Sequence, residues 1–180
     1  MTALSLEPED RSIPPQTLTD RAAITAALAE IGVALERWDT PAALSSDASS
    51  DEILAAYAAP IAALRQRFGF QSVDVVRMNP DHPQREVARG RFLAEHTHAD
   101  FEVRFFVEGR GCFYLHAAGA VTTLVCEAGD LISVPAGMRH WFDMGERPLF
   151  TAIRLFTTPE GWVATFTGDD IATRFPPFPT

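Results

Sequence analysis

The chain has 180 residues and a formal net charge of −9, and its 15 basic residues are all arginine. A negative surface repels phosphate, which argues against a nucleic-acid partner, and the absence of lysine excludes Schiff-base chemistry and a phosphate-binding-loop lysine. The length suits one hydrophobic core, so we expect a single domain over residues 1–180.

Residues 1–70 are expected to form an α-rich lead-in. The run from Thr17 to Asp20 can cap a helix, after which apolar residues recur at helical spacing until Gly32. A short strand is expected at 33–38, and the run from Ser49 to Glu52 is typical of a second capping box. The helix that it opens should kink or split at Pro60, because proline lacks an amide proton. We expect both helices to pack against the rest of the fold.

Residues 71–166 change to short β-prone runs separated by Gly, Pro and Asp. The runs lie at 73–78, 101–107, 112–116, 121–126, 131–134, 140–142 and 149–156. Many short strands with closely spaced turn signals indicate a mainly β sandwich or barrel of the jelly-roll type. Residues 167–180 are rich in proline, so we expect an extended tail over the surface.

The N-terminal and apolar segments bear on location. Glu7, Glu9 and Asp10 are unlike a signal peptide, and no apolar run approaches the ~20 residues of a membrane span. We therefore expect a cytoplasmic protein without a membrane partner, and the short acidic chain is compatible with a monomer. Cys112 and Cys126 stand in no metal-ligand spacing and are interpreted as small packing residues.

His96 and His98 are the first residues with a chemical signature. Alternate side chains of a strand point to the same side, about 6.6 Å apart, so both imidazoles can reach one ion. Such a pair also arises by coincidence on a strand face. His82 and His116 have no comparable spacing, and we interpret them as ordinary loop and strand residues.

The histidine pair belongs to two ordered blocks. The first block runs Gly90, His96-x-His98, Glu102 and Gly109, and the second, after 19 further residues, runs Gly129, Pro135-x-Gly137 and His140. These blocks resemble the paired motifs of the cupin superfamily, a double-stranded β-helix (jelly-roll barrel) with its metal inside. The resemblance implies that the ion is held by His96, His98, Glu102 and His140. Met144 stands where many cupins have an asparagine that shapes a turn, so this departure leaves the ligands intact.

The donor set restricts the metal. Three neutral nitrogens and one carboxylate suit Fe(II), Ni(II), Mn(II), Co(II) or Zn(II) and disfavour Mg and Ca, which prefer oxygen ligands. Four protein ligands on an octahedral ion leave two positions for water or substrate. A structural zinc site is normally closed by four ligands, often including cysteine, so the pattern favours a catalytic site.

Longer stretches of sequence indicate one particular family within the cupin superfamily. They are residues 95–109 (EHTHADFEVRFFVEG), 130–135 (DLISVP), 140–143 (HWFD), 159–162 (PEGW) and 166–172 (FTGDDIA). Over nearly the whole chain they resemble the acireductone dioxygenase family. The main departure is Phe101, where family members often carry an acidic residue.

The resemblance implies a step of methionine salvage. An acireductone, a dihydroxy-keto-methylthiopentene, reacts with O₂ at one Fe(II) or Ni(II) ion per chain. With Fe(II) the family yields formate and the keto acid precursor of methionine, and with Ni(II) it yields formate, carbon monoxide and methylthiopropanoate. Iron and nickel can occupy the same ligands, so the sequence leaves the metal open.

Neighbours of the ligands have expected supporting roles. Arg104 lies two residues after Glu102 and shares its strand face, so we assign its fixed charge a catalytic role in stabilising the substrate anion. The alternative for Arg104 is a surface ion pair. Glu95, Asp100 and Phe101 are expected to lie behind the ligands, and the family resemblance suggests a part for Glu95 in metal loading. Asp100 is alternatively a solvated turn residue.

The substrate pocket has five candidates. They are Phe92, Phe106, Phe142, Trp162 and Arg154. Each aromatic ring could equally belong to the core, and Arg154 could simply pair with an acidic residue.

Two other classes of function remain open. A non-catalytic cupin would use its metal to sense or store a small molecule, although the chain shows no attached helix-turn-helix and no basic surface to transmit a signal. A different cupin enzyme, such as a sugar isomerase or a thiol dioxygenase, would be distinguished by its products.

Overall fold

The computed structural model describes residues 1–39, 44–45 and 47–178. Its strands are β1 (Ala3–Pro8), β2 (Gln16–Leu18), β3 (Ala34–Arg37), β4 (Ser72–Met78), β5 (His96–His98), β6 (Glu102–Ala117), β7 (Ala120–Glu127), β8 (Asp130–Val134), β9 (Arg139–Asp143), β10 (Phe150–Phe156) and β11 (Ala164–Phe166). Its helices are α1 (Arg21–Glu30), α2 (Ser50–Ala56), α3 (Ala58–Phe68) and α4 (Arg85–Leu93), followed by a 3₁₀ helix (Ile171–Arg174). None of the helices among these residues combines the length and apolar character that crossing a bilayer requires.

Two antiparallel sheets share the long strand β6. One has the order β2-β1-β7-β6-β9-β5-β11, and the other has the order β4-β10-β6-β8-β3. The first half of β6 pairs with β8 and β10, and the second half pairs with β7 and β9. This arrangement confirms the expected mainly β jelly-roll with N-terminal helices.

The main core lies between the sheets. Phe113 and Leu115 alternate inward along β6 and are fully buried, as is Phe106 in the first half of the strand. Helix α1 adds Ile24 and Leu28 to the same cluster. Burial of these large apolar side chains is the main stabilising term for the barrel, worth roughly 1.5–3 kcal/mol for each one.

The outer faces of both sheets are covered as well. Helices α2 and α3 pack Ile53, Tyr57, Ile61 and Leu64 against Val103 and Phe105 of β6. On the other sheet, the C-terminal segment packs Ile171, Phe175 and Phe178 against Tyr114 and Trp141. The strands that carry the candidate ligands are therefore held from both sides.

The lead-in differs from the sequence expectation in its strands. Residues 17 and 18, expected to belong to a helix cap, lie in β2, and β1 was not predicted. The cap of α1 is Asp20, whose carboxylate accepts a hydrogen bond from the Ala23 amide at 2.9 Å. The capping box of Ser49 and Glu52 is confirmed. The helix breaks after α2, before Pro60, because the proline ring would overlap the carbonyl group four residues earlier.

Further differences lie beyond residue 70, where β11 was also not predicted. Helix α4 was not predicted, and the runs expected at 101–107 and 112–116 form one strand, β6. The expected extended tail contains a 3₁₀ helix at its centre, and its residues 179–180 lie outside the described residues.

Gly109 allows β6 to continue from one sheet into the other. Its φ of +70° lies in the left-handed region, where a side chain is disfavoured. A Cβ atom at this position would overlap the carbonyl oxygen of Leu149, which belongs to the backbone and has no freedom to move aside. A residue other than glycine would therefore separate β6 from the start of β10.

Replacing Gly109 by alanine should lower the free energy of unfolding by about 3 kcal/mol or more, since backbone strain and overlap add. Gly119→Ala is the matched control, because Gly119 has a similar φ of +73° but no atom within 4 Å of an added Cβ. We expect the control to lose only about 1 kcal/mol. Equal losses in urea denaturation of the two variants would contradict the overlap at Gly109.

Candidate metal centre

Three imidazoles meet inside the barrel. His96 and His98 lie on β5, and His140 lies directly opposite His96 on β9. All three are buried, and their candidate ligand nitrogens lie within 4.8 Å of one another. Antiparallel pairing of β5 with β9 thus brings together residues more than 40 positions apart in the chain.

The orientation of each ring is set by the backbone. Nδ1 of His96 lies 2.7 Å from the carbonyl oxygen of Ala94, and Nδ1 of His140 lies 2.8 Å from that of Met138. Nδ1 of His98 lies 3.1 Å from the carbonyl oxygen of Val163. Because a carbonyl only accepts hydrogen bonds, each Nδ1 carries a proton, so Nε2 is the atom that each ring can offer to a metal once it is unprotonated.

Glu102, the first residue of β6, adds a carboxylate to the cluster. Its Oε2 lies 3.3 Å from Nε2 of His98 and 3.2 Å from Nε2 of His140. Its Oε1 accepts a hydrogen bond from Nη2 of Arg104 at 2.6 Å. The side chain is only about 3% exposed, so one oxygen faces the imidazoles while the other is held by the guanidinium.

The pKa shifts follow from burial and from these contacts. Burial lowers the pKa of His96 to about 4, and the neighbouring His140 acts in the same direction, so His96 is neutral at pH 7. Burial alone would raise the pKa of Glu102, but Arg104 and the hydrogen bonds from His140 and His98 outweigh it and hold this pKa well below its usual value. The site therefore offers an ionised carboxylate beside at least one neutral imidazole at physiological pH.

Arg104 lies against two aromatic rings. The centre of its guanidinium lies 4.9 Å from the ring centroid of Phe113 and 4.4 Å from that of Phe142. Its Nε is buried and has no hydrogen-bond partner among the residues the structure describes. A buried N–H without a partner is costly, so this donor is positioned for a group that enters the site.

A cavity of about 470 Å³ opens in front of the cluster. The four expected ligands and Arg104 contribute to its wall. The remaining lining residues are mostly apolar and include Phe92, Phe113, Phe142, Phe156, Trp162, Val163 and Phe166. The volume falls in the range of small-molecule sites, and an apolar wall with a few convergent polar groups is typical of them.

Four of the five candidates for the substrate pocket line this cavity. Phe92, Phe142, Trp162 and Arg154 are among its wall residues, and Phe106 is not. Phe106 shares the inward direction of Arg104 but lies deeper, fully buried in the core beside Phe142 and Phe150. Arg154 fulfils both alternatives, since it lines the cavity and makes a bidentate pair with Asp74 at 2.9 and 2.6 Å.

Asp100 and Phe101, both expected behind the ligands, have different surroundings from each other. The carboxylate of Asp100 accepts hydrogen bonds from the backbone of Phe101, Thr157 and Thr158 and from the Thr157 hydroxyl, so it ties the β5–β6 turn to the end of β10. Phe101 is 48% exposed and is absent from the cavity wall.

Glu95 points away from the ligand cluster into a buried polar group. Its Oε1 lies 2.5 Å from Nδ1 of His116, and its Oε2 accepts a hydrogen bond from the Thr167 hydroxyl at 2.6 Å. His116, a residue of β6 that lies outside the cavity wall, is 2% exposed and also contacts Glu9.

Comparison with known proteins agrees with this geometry. Residues 5–164 match the model of the ARD/ARD′ family. The acireductone dioxygenase of Methylococcus capsulatus is 55% identical, covering 98% of this chain and 95% of the relative. That of Parvibaculum lavamentivorans is 57% identical, covering 99% and 97%. A solved structure, the acireductone dioxygenase from Bacillus anthracis with a cadmium ion in its active centre, aligns with a TM-score of 0.80 at 30% identity, covering 92% of this chain and 98% of that one.

An antiparallel jelly-roll with three convergent imidazoles inside the barrel defines a metal-binding protein of the cupin fold. The match of the family model to most of the chain, together with relatives more than 50% identical along nearly its full length, places it more closely. The chain belongs to the ARD/ARD′ family.

Proposed function

We propose that the chain is an acireductone dioxygenase that uses one Fe(II) or Ni(II) ion held by His96, His98, Glu102 and His140. The observation that carries this proposal is the convergence of three imidazoles whose Nδ1 atoms are all bonded to backbone carbonyls. The activity named for the relatives supports the reaction, and the wall of the cavity supports a small substrate.

The residues present fit a divalent transition metal. Nitrogen and carboxylate donors suit Fe(II) and Ni(II), whereas Mg and Ca favour oxygen alone. The carbonyl groups behind His96, His98 and His140 hold the rings in the tautomer that binds metal through Nε2. When bound, such an ion supplies Lewis acidity and a template for the two oxygens of an enediol.

Arg104 is proposed to bind and stabilise the ionised substrate. Its guanidinium is always charged, and Nη2 is occupied by Glu102 while Nε has no described partner. Contacts with the rings of Phe113 and Phe142 restrict the movement of the side chain. A substrate oxygen that accepts from Nε would lose a proton more readily, because a fixed positive charge favours the anion in a dry site.

The aromatic wall is proposed to hold the apolar methylthio end of the substrate. Phe92, Phe142 and Phe156 lie on the wall, and Trp162 is 56% exposed at its outer part. Aromatic rings bury a large apolar area and contact sulfur favourably, so they would exclude water from the reacting atoms.

The test is oxygen uptake by metal-loaded protein. Protein loaded with Fe(II) should consume O₂ only when acireductone is supplied and should release formate and the methylthio keto acid. The same protein loaded with Ni(II) should release formate, carbon monoxide and methylthiopropanoate. Failure of fully metallated protein to consume O₂ would refute the proposal. Substrate binding without O₂ uptake would instead favour the non-catalytic cupin, and different products would indicate another cupin enzyme.

We also propose that the chain acts in the cytoplasm as a monomer with one cooperative domain. The acidic composition supports this, since like charges oppose self-association. Light scattering should give the mass of one chain, and calorimetry should give one unfolding transition.

A further inference from the structure

Three arginines line the cavity, and two of them are already paired with carboxylates. Arg104 donates to Glu102, and both side chains are buried. Arg154 is held by Asp74 through two contacts. Arg91 is the third, and it forms no ion pair with any residue of the described part of the chain. Among the arginines of the described cavity wall, Arg91 is therefore the one whose positive charge has no carboxylate in contact with it.

Arg91 lies where the cavity meets solvent. It occupies the last turn of α4 and is exposed, although it belongs to the cavity wall. Ala88 and Phe92, which are three residues before it and one after it, also line the cavity. These positions fall on one helix face, so α4 directs this face towards the entrance.

The helix that carries Arg91 is held in place by one strong contact. None of its residues is buried, so packing alone secures it weakly. Arg89 makes a bidentate contact with Asp143 of β9 at 2.8 and 3.1 Å, and the carboxylate of Asp143 is fully buried. Because β9 also carries His140, this contact fixes α4 relative to the metal centre.

The net charge of the protein has the same sign as that of its proposed substrate and should repel it. The chain has a net charge of −9. An enediol conjugated to a carbonyl group is acidic, so an acireductone reaches the protein as an anion. An unpaired guanidinium at the entrance creates a local positive potential that the surrounding carboxylates do not cancel.

We propose that Arg91 captures the anionic enediolate at the mouth of the cavity and passes it towards Arg104. This inference rests on the proposed function, because it takes the substrate class from it. Arg91 acts on binding and not on the chemical step, since it stands at the solvent boundary while Arg104 contacts the ligand Glu102. Selectivity for anions over neutral diols follows from the same charge.

Arg91→Gln tests this role. We expect kcat/KM for acireductone to fall roughly three- to tenfold while kcat changes less than about twofold, because an exposed charge acts on capture. Added salt should lower kcat/KM of the native protein, and it should do so less in the variant. The metal content should be unchanged. Arg147→Gln is the matched control, since it removes the same charge. Arg147 is exposed and lies outside the cavity wall. It should leave all these quantities unchanged.

A binding measurement separates this inference from the proposed reaction. Calorimetry without O₂ on Ni(II)-loaded protein would use L-ascorbate, a stable enediolate, as the probe. Weaker ascorbate binding in Arg91→Gln than in Arg147→Gln supports the role of Arg91 even if acireductone is not turned over. Equal affinities, or an equal kcat/KM with normal turnover in the native protein, would overturn it while leaving the proposed function standing.

Discussion

Replacing His140 by alanine is expected to leave the protein folded but unable to retain its metal ion. His140 lies close to all three other donors: its ring centroid is 4.5 Å from that of His96 and 5.4 Å from that of His98, and its Nε2 is 3.2 Å from Oε2 of Glu102. Without it the three remaining donors cannot enclose an ion from the β9 side. Metal affinity should fall well over a hundredfold, since loss of a mere supporting partner already costs about 10–100-fold. Turnover should fall to background.

Metal analysis after gel filtration measures this loss, and circular dichroism shows whether the barrel persists. His82→Ala is the control, because His82 lies in a loop before α4 and away from the cavity wall. His96→Ala should behave like His140→Ala. Native metal content in both ligand variants would refute the assignment of these imidazoles, and equal loss in His82→Ala would show that the assay does not report the centre.

The alternation of side chains along strands made the centre largely predictable. His96 and His98, and then Glu102 and Arg104, are pairs two residues apart, and a strand turns such pairs to one side. The resemblance to a known motif supplied what periodicity lacks, namely that His140 faces His96 across a strand pair. These were short-range patterns or recognised spacings, so they could be seen in the sequence.

Depth along a strand was not predictable in the same way. Phe106 follows the inward direction of Arg104, yet it lies in the core, while Phe142 reaches both the core and the cavity. Periodicity gives the direction of a side chain but not its distance from the cavity. Only the packing of β6 against β9 and β10 separates the two rings.

Contacts between distant residues and weak local patterns also escaped the sequence. Glu95 meets His116 only because β5, β9 and β6 lie side by side, and no spacing rule joins them. Helix α4 contains Gly90 and four charged residues and has no buried residue, so its sequence offers few apolar positions from which to predict it. Its position depends on the pair of Arg89 with Asp143 across 54 residues, which a local pattern cannot show.

Replacing Arg104 by alanine should separate metal binding from catalysis. The rings of His96, His98 and His140 are oriented by backbone carbonyls and not by Arg104, so the metal should remain bound. The substrate anion would lose the one buried arginine of the described cavity wall, and kcat should fall about 10²–10³-fold, the usual cost of losing one charge-stabilising donor. Stopped-flow turnover and metal content on the same sample measure both effects.

The lysine variant sharpens the interpretation of Arg104. Arg104→Lys keeps the charge but loses the planar fork that lets one guanidinium serve Glu102 through Nη2 and a second acceptor through Nε. Its rate should therefore lie between those of the native protein and the alanine variant. Arg110→Gln is the matched control, because Arg110 is also on β6 and over an aromatic ring, that of Phe178, but lies outside the cavity wall. Metal loss in Arg104→Ala would show that Arg104 serves mainly to hold Glu102, and an undiminished rate would remove it from the reaction.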